Sequence, residues 1–398
     1  TIESNSIHEY TVNTVDSNSN ISQSSDARAV QSIEFNTGAN LVSMLVLDGD
    51  LPDSECITGI IGEGVAASQI APGQWVGSLA ELSCTGGYWV KAIDDCIVNL
   101  VGDLCPSDGI YYLHEGSNLI SYNGSYESSI TDALPDDIES LITGIIAEGV
   151  AASQIGPGQW VGSLATLTPG KGYWFKASED LEFMFEAGDE NFVREIEDSY
   201  ENPYTFVQST QQAFYFIEDI GRSKIEVGDI ILAFNGNTLV GSRVYRGDYT
   251  DIPVMGYMDE STAGYLQAGD VPTFKVEKSN GEVLTLTGTV PGFEGQGIFM
   301  ISFEGLEADI PIEFALKPAY PNPFNPLTNI EYGLPADTFV SIAIYDIAGR
   351  EIQRLIHTQQ LAGYHRLTWD AEKQSTGLYF VKLIAGEYQQ TQKLMLIK

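Results

Sequence analysis

Val340-Ser341-Ile342-Ala343-Ile344-Tyr345-Asp346 sets a large apolar residue at every second position. That period of two is the pattern of a half-buried strand and does not make one apolar stripe on a helix. Downstream, Gly349, Gly363, Gly377 and Gly386 recur at hairpin-like intervals and punctuate further strands. Upstream, the prolines of Asn322-Pro323 and Asn325-Pro326 lack backbone donors and have a fixed φ. This piece therefore reads as an extended lead into the strands and not as a central strand. Residues 314–398 are expected to form a small β domain.

The same segment carries an ordered set of landmarks. It opens Lys317-Pro318-Ala319-Tyr320-Pro321-Asn322-Pro323-Phe324-Asn325-Pro326, followed by Thr328, Ile330, Tyr332 and Leu334-Pro335. Gly349-Arg350, Gly363-Tyr364-His365, Trp369-Asp370 and Gly377-Leu378-Tyr379-Phe380 come next, and Lys393-Leu394-Met395-Leu396-Ile397-Lys398 closes it. This order resembles the C-terminal sorting domain of cargo proteins of the bacterial type IX secretion system. The resemblance implies an immunoglobulin-like β-sandwich, with Asn322, Pro323, Phe324, Asn325, Pro326, Gly349 and Arg350 as the sorting motif. It implies contact with the secretion machinery and a place outside the cell or on the outer-membrane surface. The chain opens at Thr1, so a signal peptide is expected to have been removed ahead of it. The resemblance implies no catalytic chemistry.

A second signal is an internal duplication. Residues 57–80 read ITGIIGEGVAASQIAPGQWVGSLA and residues 142–165 read ITGIIAEGVAASQIGPGQWVGSLA, differing at two of 24 positions. Asn40-Leu41-Val42-Ser43 matches Asn118-Leu119-Ile120-Ser121, and Gly87-Tyr88-Trp89 matches Gly172-Tyr173-Trp174. These are tandem small β-rich repeats, at 31–106 and 107–190. A short helix is expected at 135–141, where acidic residues fill a first turn. Modules of this kind resemble those of multidomain secreted proteins that carry the same tail. Residues 191–313 read as a central β-sandwich domain, with an aromatic strand pair over 206–216 and a further strand within 225–236. The fold class is all-β (mainly β).

Charge excludes several functions. The chain carries 55 acidic against 19 basic residues, formally −36. Residues 314–398 hold eight basic and seven acidic side chains, net +1, so the preceding 313 residues, with 11 and 48, carry −37. Such a body repels phosphate backbones, which argues against nucleic acid as a partner. No run of 18 apolar residues occurs, and no membrane insertion is expected.

Cys56, Cys84, Cys96 and Cys105 lack the close Cys/His pairs of a zinc site. In an oxidising compartment they are expected to form two disulfides in one of three connectivities, with Cys56–Cys84 and Cys96–Cys105 favoured. Cys56, Cys84 and Cys96 align with Leu141, Pro169 and Leu181 in the second repeat, which points to stapling and not to shared chemistry. Asp48, Asp50 and Asp53 sit at a spacing that a loop could fold around calcium, although the EF-hand pattern is incomplete. Asp248, Asp251, Asp259 and Glu260 are a second acidic group. Trp75 and Trp160 offer aromatic faces for a surface glycan; core packing is the alternative.

No enzyme is expected. His8, His114, His357 and His365 lie outside any nucleophile context, and neither a His-Glu-x-x-His helix nor a Gly-x-Ser-x-Gly elbow occurs. No cofactor is expected. The first 30 residues are a polar tail, with residues 7–12 as a candidate donor strand for a neighbour's sheet edge. The whole reads as a non-enzymatic structural protein of the cell surface that binds copies of itself into a filament or coat. An adhesin or glycan-binding protein is the alternative.

Overall fold

The computed structural model describes residues 7–10, 28–48, 50–186, 202–220, 225–308, 311 and 313–398. Strands are its dominant regular structure, with two single-turn α-helices in the second repeat, Ile130–Ala133 and Asp136–Glu139. Ser129 caps the first of these by accepting from Asp132 N at 3.0 Å. The second falls where acidic residues were expected to open a helix.

The two repeats fold alike. In the first, a five-stranded sheet runs in the spatial order Gly38–Val42, Tyr88–Ala92, Ile57–Ile61, Ala66–Ala71, Gln74–Gly77. In the second the order is Gly116–Ser121, Gly172–Ala177, Ile142–Ile146, Ala151–Gly156, Gln159–Gly162. Each sheet closes over a smaller companion. In repeat 1 this is Arg28–Phe35 paired with Cys96–Leu104, and in repeat 2 it is Tyr111–Leu113 paired with Leu181–Phe183. Between the layers lie Ile33, Phe35, Ile60 and Val90 in repeat 1, and Tyr111, Ile145, Phe175 and Phe183 in repeat 2.

The tail strand is used within its own chain. Ile7–Tyr10 pairs antiparallel with the start of Arg28–Phe35, Ile7 opposite Gln31 and Tyr10 opposite Arg28. In this structure the expected donor strand therefore extends its own repeat and not a neighbour's.

In the central domain Gln212–Asp219 lies between Thr250–Met255 and, in parallel, Ile298–Ser302. Of the expected aromatic pair over 206–216, only the second half is a strand. Ahead of it, side chains take the amides that a ladder would need: Val207 N donates to Tyr265 Oη at 2.8 Å and Gln211 N to Ser209 Oγ at 3.0 Å. A second sheet runs Thr238–Val244, Ile230–Asn235, Thr273–Glu277, Glu282–Thr287. It then continues into the C-terminal domain through Glu282 opposite His365 and Val283 opposite Tyr364.

The C-terminal domain is a sandwich. Gly363–Asp370, Leu327–Leu334 and Ala315–Leu316 form one layer; Glu351–Gln360, Thr338–Asp346, Gly377–Ala385 and Tyr388–Leu396 form the other. Val340, Ile342 and Ile344 are each 0% exposed, as their alternation requires. Burying each of these side chains contributes roughly 1.5–3 kcal/mol.

The disulfides correct the favoured pairing. The bonds are Cys56–Cys96 and Cys84–Cys105, with Cα separations of 6.7 and 5.5 Å. Cys96 and Cys105 flank the nine-residue strand Cys96–Leu104. Extended chain holds its ends about 30 Å apart, far beyond the ~7 Å that a disulfide spans. Both bonds staple repeat 1.

Candidate functional site

The leading segment of the C-terminal domain is bound along the final strand. Asn322 Nδ2 donates to Lys393 O at 2.8 Å, and its Oδ1 accepts from Met395 N at 2.9 Å. Phe324 N donates to Met395 O at 2.9 Å, and Ile397 N donates to Phe324 O at 3.0 Å. The Phe324 ring is 2% exposed and packs 5.3 Å from that of Trp369. Asn322 thus holds a strap that is bent at 321–323 and 325–326 and not extended as expected, and Phe324 pins it to the core.

The turn at 346–350 is fixed by one carboxylate. Asp346 Oδ1 accepts from Ala348 N and Arg350 N, each at 2.9 Å, and Oδ2 meets Arg350 Nε at 2.7 Å. The Arg350 amide, foremost, holds the Asp346 carboxyl below its ordinary range. Gly349 sits at φ +77°, in the left-handed region that favours glycine. Ile347 projects from the turn, 78% exposed. Among the sorting-motif residues, Asn322 and Phe324 are brought together on the final strand, whereas Gly349 and Arg350 belong to this separate turn.

A cleft of about 640 Å³ follows the seam between the central and C-terminal domains. Arg366 lies 3.6 Å from Glu277 across it and stacks over the ring of Tyr204 at 4.6 Å. The Tyr204 hydroxyl donates to Glu277. Lys317 lies over Tyr364 at 4.7 Å. These cations rest on rings and carboxylates of the seam itself, so the cleft is built as an adhesive joint.

The repeats meet at a second joint, and it has approximate two-fold symmetry. Leu41 N donates to Glu148 Oε2 at 2.9 Å, and its counterpart Leu119 N donates to Glu63 Oε2 at 2.7 Å. Ser43 N donates to Gly170 O at 2.9 Å, and Ser121 N to Thr85 O at 3.0 Å. A Cβ on Gly87 would meet Ile120 O at 2.6 Å, and one on Gly172 would meet Val42 O at 2.7 Å. The glycine that opens each Gly-Tyr-Trp motif is therefore needed for close approach. Trp89, Leu41 and Leu119 are buried at this joint, with Trp174 partly so. Burial raises the pKa of Glu148, more than the Leu41 amide and the charge of Lys171 lower it. Glu63 instead meets exposed His114 at 2.6 Å. The His114 pKa is raised, first by the Glu115 carbonyl and then by Glu63.

The remaining candidate residues scatter. Asp48, Asp50 and Asp53 are exposed, and Asp48 Oδ1 accepts from Asp50 N at 3.2 Å. Among the described residues no three His, Cys, Asp or Glu side chains gather as a metal site would require, so the calcium loop does not form a ligand set. The second acidic group is also dispersed. Asp251 is buried beside Arg243 and Ser163, while Asp259 holds Lys91 at 2.6 Å. Trp75 and Trp160 are half-buried, and their indole N–H groups donate inward, to Pro52 O at 3.2 Å and Glu139 Oε1 at 2.8 Å. The joint residues Glu63, Glu148, Gly87 and Gly172 were not singled out as functional from the sequence. Their signal was their recurrence in both repeats.

Residues 318–398 match the family described as the secretion system C-terminal sorting domain. The chain is a cargo protein of the type IX secretion system, exported to the cell surface or beyond. A sorting tail of this family implies interaction with that machinery. Among solved structures, dimeric latent PorU from Porphyromonas gingivalis is 12% identical, over 93% of this chain and 31% of that one, with a TM-score of 0.18. The FN1–FN3 domains of chicken CNTN1 are 8% identical, over 73% of this chain and 98% of theirs, at 0.17. A Salmonella alpha-2-macroglobulin mutant is 9% identical, over 98% and 32%, at 0.16. The chain spans about a third of the PorU chain's length. No curated protein matches it. No described helix is long and apolar enough to cross a membrane.

Proposed function

We propose that this chain is a non-enzymatic structural protein of the cell surface that self-associates into an extracellular filament or coat. The observation that carries the reading is a band of apolar side chains left exposed along the strand Cys96–Leu104 of repeat 1, with others on and just after the companion sheet of repeat 2. Ile97 and Val101 of repeat 1 are 58% and 50% exposed, and Tyr112 and Met184 of repeat 2 are 73% and 49% exposed. Exposed apolar side chains on a strongly acidic, secreted body fit a contact with another protein where they gather into one patch. The inward-donating indoles of Trp75 and Trp160 remove the main support for the glycan reading.

Electron microscopy of the purified chain, alone and with Ile97→Lys plus Val101→Lys, tests this. A chain lacking residues 1–10 asks whether the tail strand contributes. Ordered fibres or sheets that vanish in the lysine variant support assembly through the band. Monodisperse particles of the unmodified chain at every concentration would sink the proposal.

A further inference from the structure

The stretches 57–80 and 142–165 share 22 of 24 residues but meet different surroundings. In repeat 2 the outer face is roofed by the central domain. Ile146 and Ala151 are each 0% exposed there, against Phe214 and Phe216. Gln212 Nε2 donates to Ala147 O at 2.8 Å, and its Oε1 accepts from Gly149 N at 3.2 Å. Arg243 Nη2 donates to Gly149 O at 2.7 Å, Ser163 Oγ to Asp251 Oδ2 at 2.6 Å, and Lys176 Nζ to Gln296 O at 2.9 Å. Repeat 2 contributes backbone groups, one serine and one lysine to this seat.

Repeat 1 reproduces each of these groups at Gly62, Gly64, Ser78 and Lys91, around Ile61 and Ala66. Yet most of its face is open, with only the Ile61 and Lys91 end touched by the central domain. Val76 is 50% exposed, and Ala66, Ser68 and Ser78 are exposed, where Ser153 is only 5% exposed. Two central domains cannot occupy both faces in the same pose. Met258 packs against the cluster that includes Ile61, and Asp259 already holds Lys91. A second module placed by the two-fold would press its own Met258 towards Ile146, which is already covered.

We propose that repeat 1 is an alternative seat for the chain's own central domain, which makes the repeat pair a platform with two mutually exclusive seats and one occupant. Covalent reach allows the transfer. Residues 187–201 join Glu186 to Asn202, and a connection of that length can extend over about 50 Å. Within the shared stretch the seats differ at Gly62 in place of Ala147 and Ala71 in place of Gly156, and beyond it in the point in repeat 2 from which the connection starts. Near-equal seats are the condition under which a small differential interaction shifts a population.

Ser163→Glu in the full chain is the test, because it sets a second carboxylate against Asp251 at a half-buried hairpin end. Hydrogen–deuterium exchange read by mass spectrometry tells the two stretches apart through their flanks, Glu81 against Thr166. Amides in Ala66–Ala71 and Gln74–Gly77 are expected to exchange about tenfold more slowly than in the unmodified chain. Those in Ala151–Gly156 and Gln159–Gly162 should lose protection. Adding Ser78→Glu must abolish the gain. Ala151→Arg, which places a guanidinium where a methyl is fully buried, is the second route to the same displacement. Protection lost from repeat 2 with no gain in repeat 1 overturns the proposal, and so does a chain that keeps repeat 2 protected under both variants.

Discussion

Glu148→Ala probes the joint between the repeats at its most enclosed polar point. The Glu148 carboxylate accepts from Leu41 N at 2.9 Å, and Leu41 is 1% exposed. Removing the acceptor orphans that amide, which costs roughly 1–3 kcal/mol. It also removes a charge whose desolvation raises the Glu148 pKa. Glu148→Gln separates the two effects, because its amide oxygen can still accept from Leu41 while the charge is gone. The expected order at neutral pH is Gln at or above the unmodified chain, and Ala below it by about 1–2 kcal/mol. The pH dependence follows from the direction of the shift. A carboxyl whose pKa is raised by folding contributes stability that is fully present below its unfolded pKa and is lost as pH rises through the folded one. The advantage of Gln over Glu must therefore shrink as the pH falls from neutrality into the carboxylate range. Urea unfolding followed by tryptophan fluorescence reads the joint directly, since Trp89 and Trp174 lie in it. A Gln variant less stable than the unmodified chain by more than about 1 kcal/mol, or a gap that ignores pH, would refute the reasoning. Glu63→Gln is the control. Its carboxylate makes the equivalent bond but pairs with exposed His114, so a change within about 0.5 kcal/mol is expected.

Three further outcomes are expected. Arg366→Ala should loosen the seam by roughly 2–4 kcal/mol, because it strips Glu277 of its buried partner; calorimetry should then show the C-terminal domain melting apart from the central one. Cys84→Ser with Cys105→Ser should lower the denaturation midpoint of repeat 1 by the equivalent of about 2–4 kcal/mol while leaving repeat 2 unchanged, and domain-resolved hydrogen exchange would reveal any spread into repeat 2. Phe324→Ala should destabilise the C-terminal domain by about 3–5 kcal/mol and release residues 317–326 to limited proteolysis; an unchanged cleavage pattern would show that backbone bonds alone hold the strap.

Most of the C-terminal domain was legible because its signals are local. Alternation at 340–344 gives the buried face directly, and proline chemistry keeps the leading segment out of the central strands, though it is bent and not extended. Equal sequences likewise gave equal sheets in the two repeats. What sequence reading missed depends on partners that residue spacing does not assign. The disulfide connectivity follows from where the strand Cys96–Leu104 carries its ends, which residue spacing does not show. The first half of the expected aromatic strand pair failed because Tyr265 and Ser209 take its amides. Asp48, Asp50 and Asp53 have a calcium-like spacing but do not gather as a ligand set, and Asp251 and Asp259 of the second acidic group are taken by cationic partners. Their partners, Arg243 and Lys91, lie on other strands, and Lys91 lies in another domain.

The symmetry of the repeat joint bears on how the protein could extend into a fibre. A head-to-tail contact between repeats would leave the same face open on the last copy and invite another copy to stack on it. Here the two repeats present the same residues to each other, Glu63 to Leu119 and Glu148 to Leu41, so the contact closes on itself with two copies. Stacking through this joint therefore cannot generate length. The central domain and the sheet shared with the sorting domain close two more faces. The apolar band on the companion sheets lies outside all three joints, with Ile97 and Tyr112 still exposed. The assembly proposed above can use that outer surface, where a lysine at position 97 or 101 would block it without touching any internal joint.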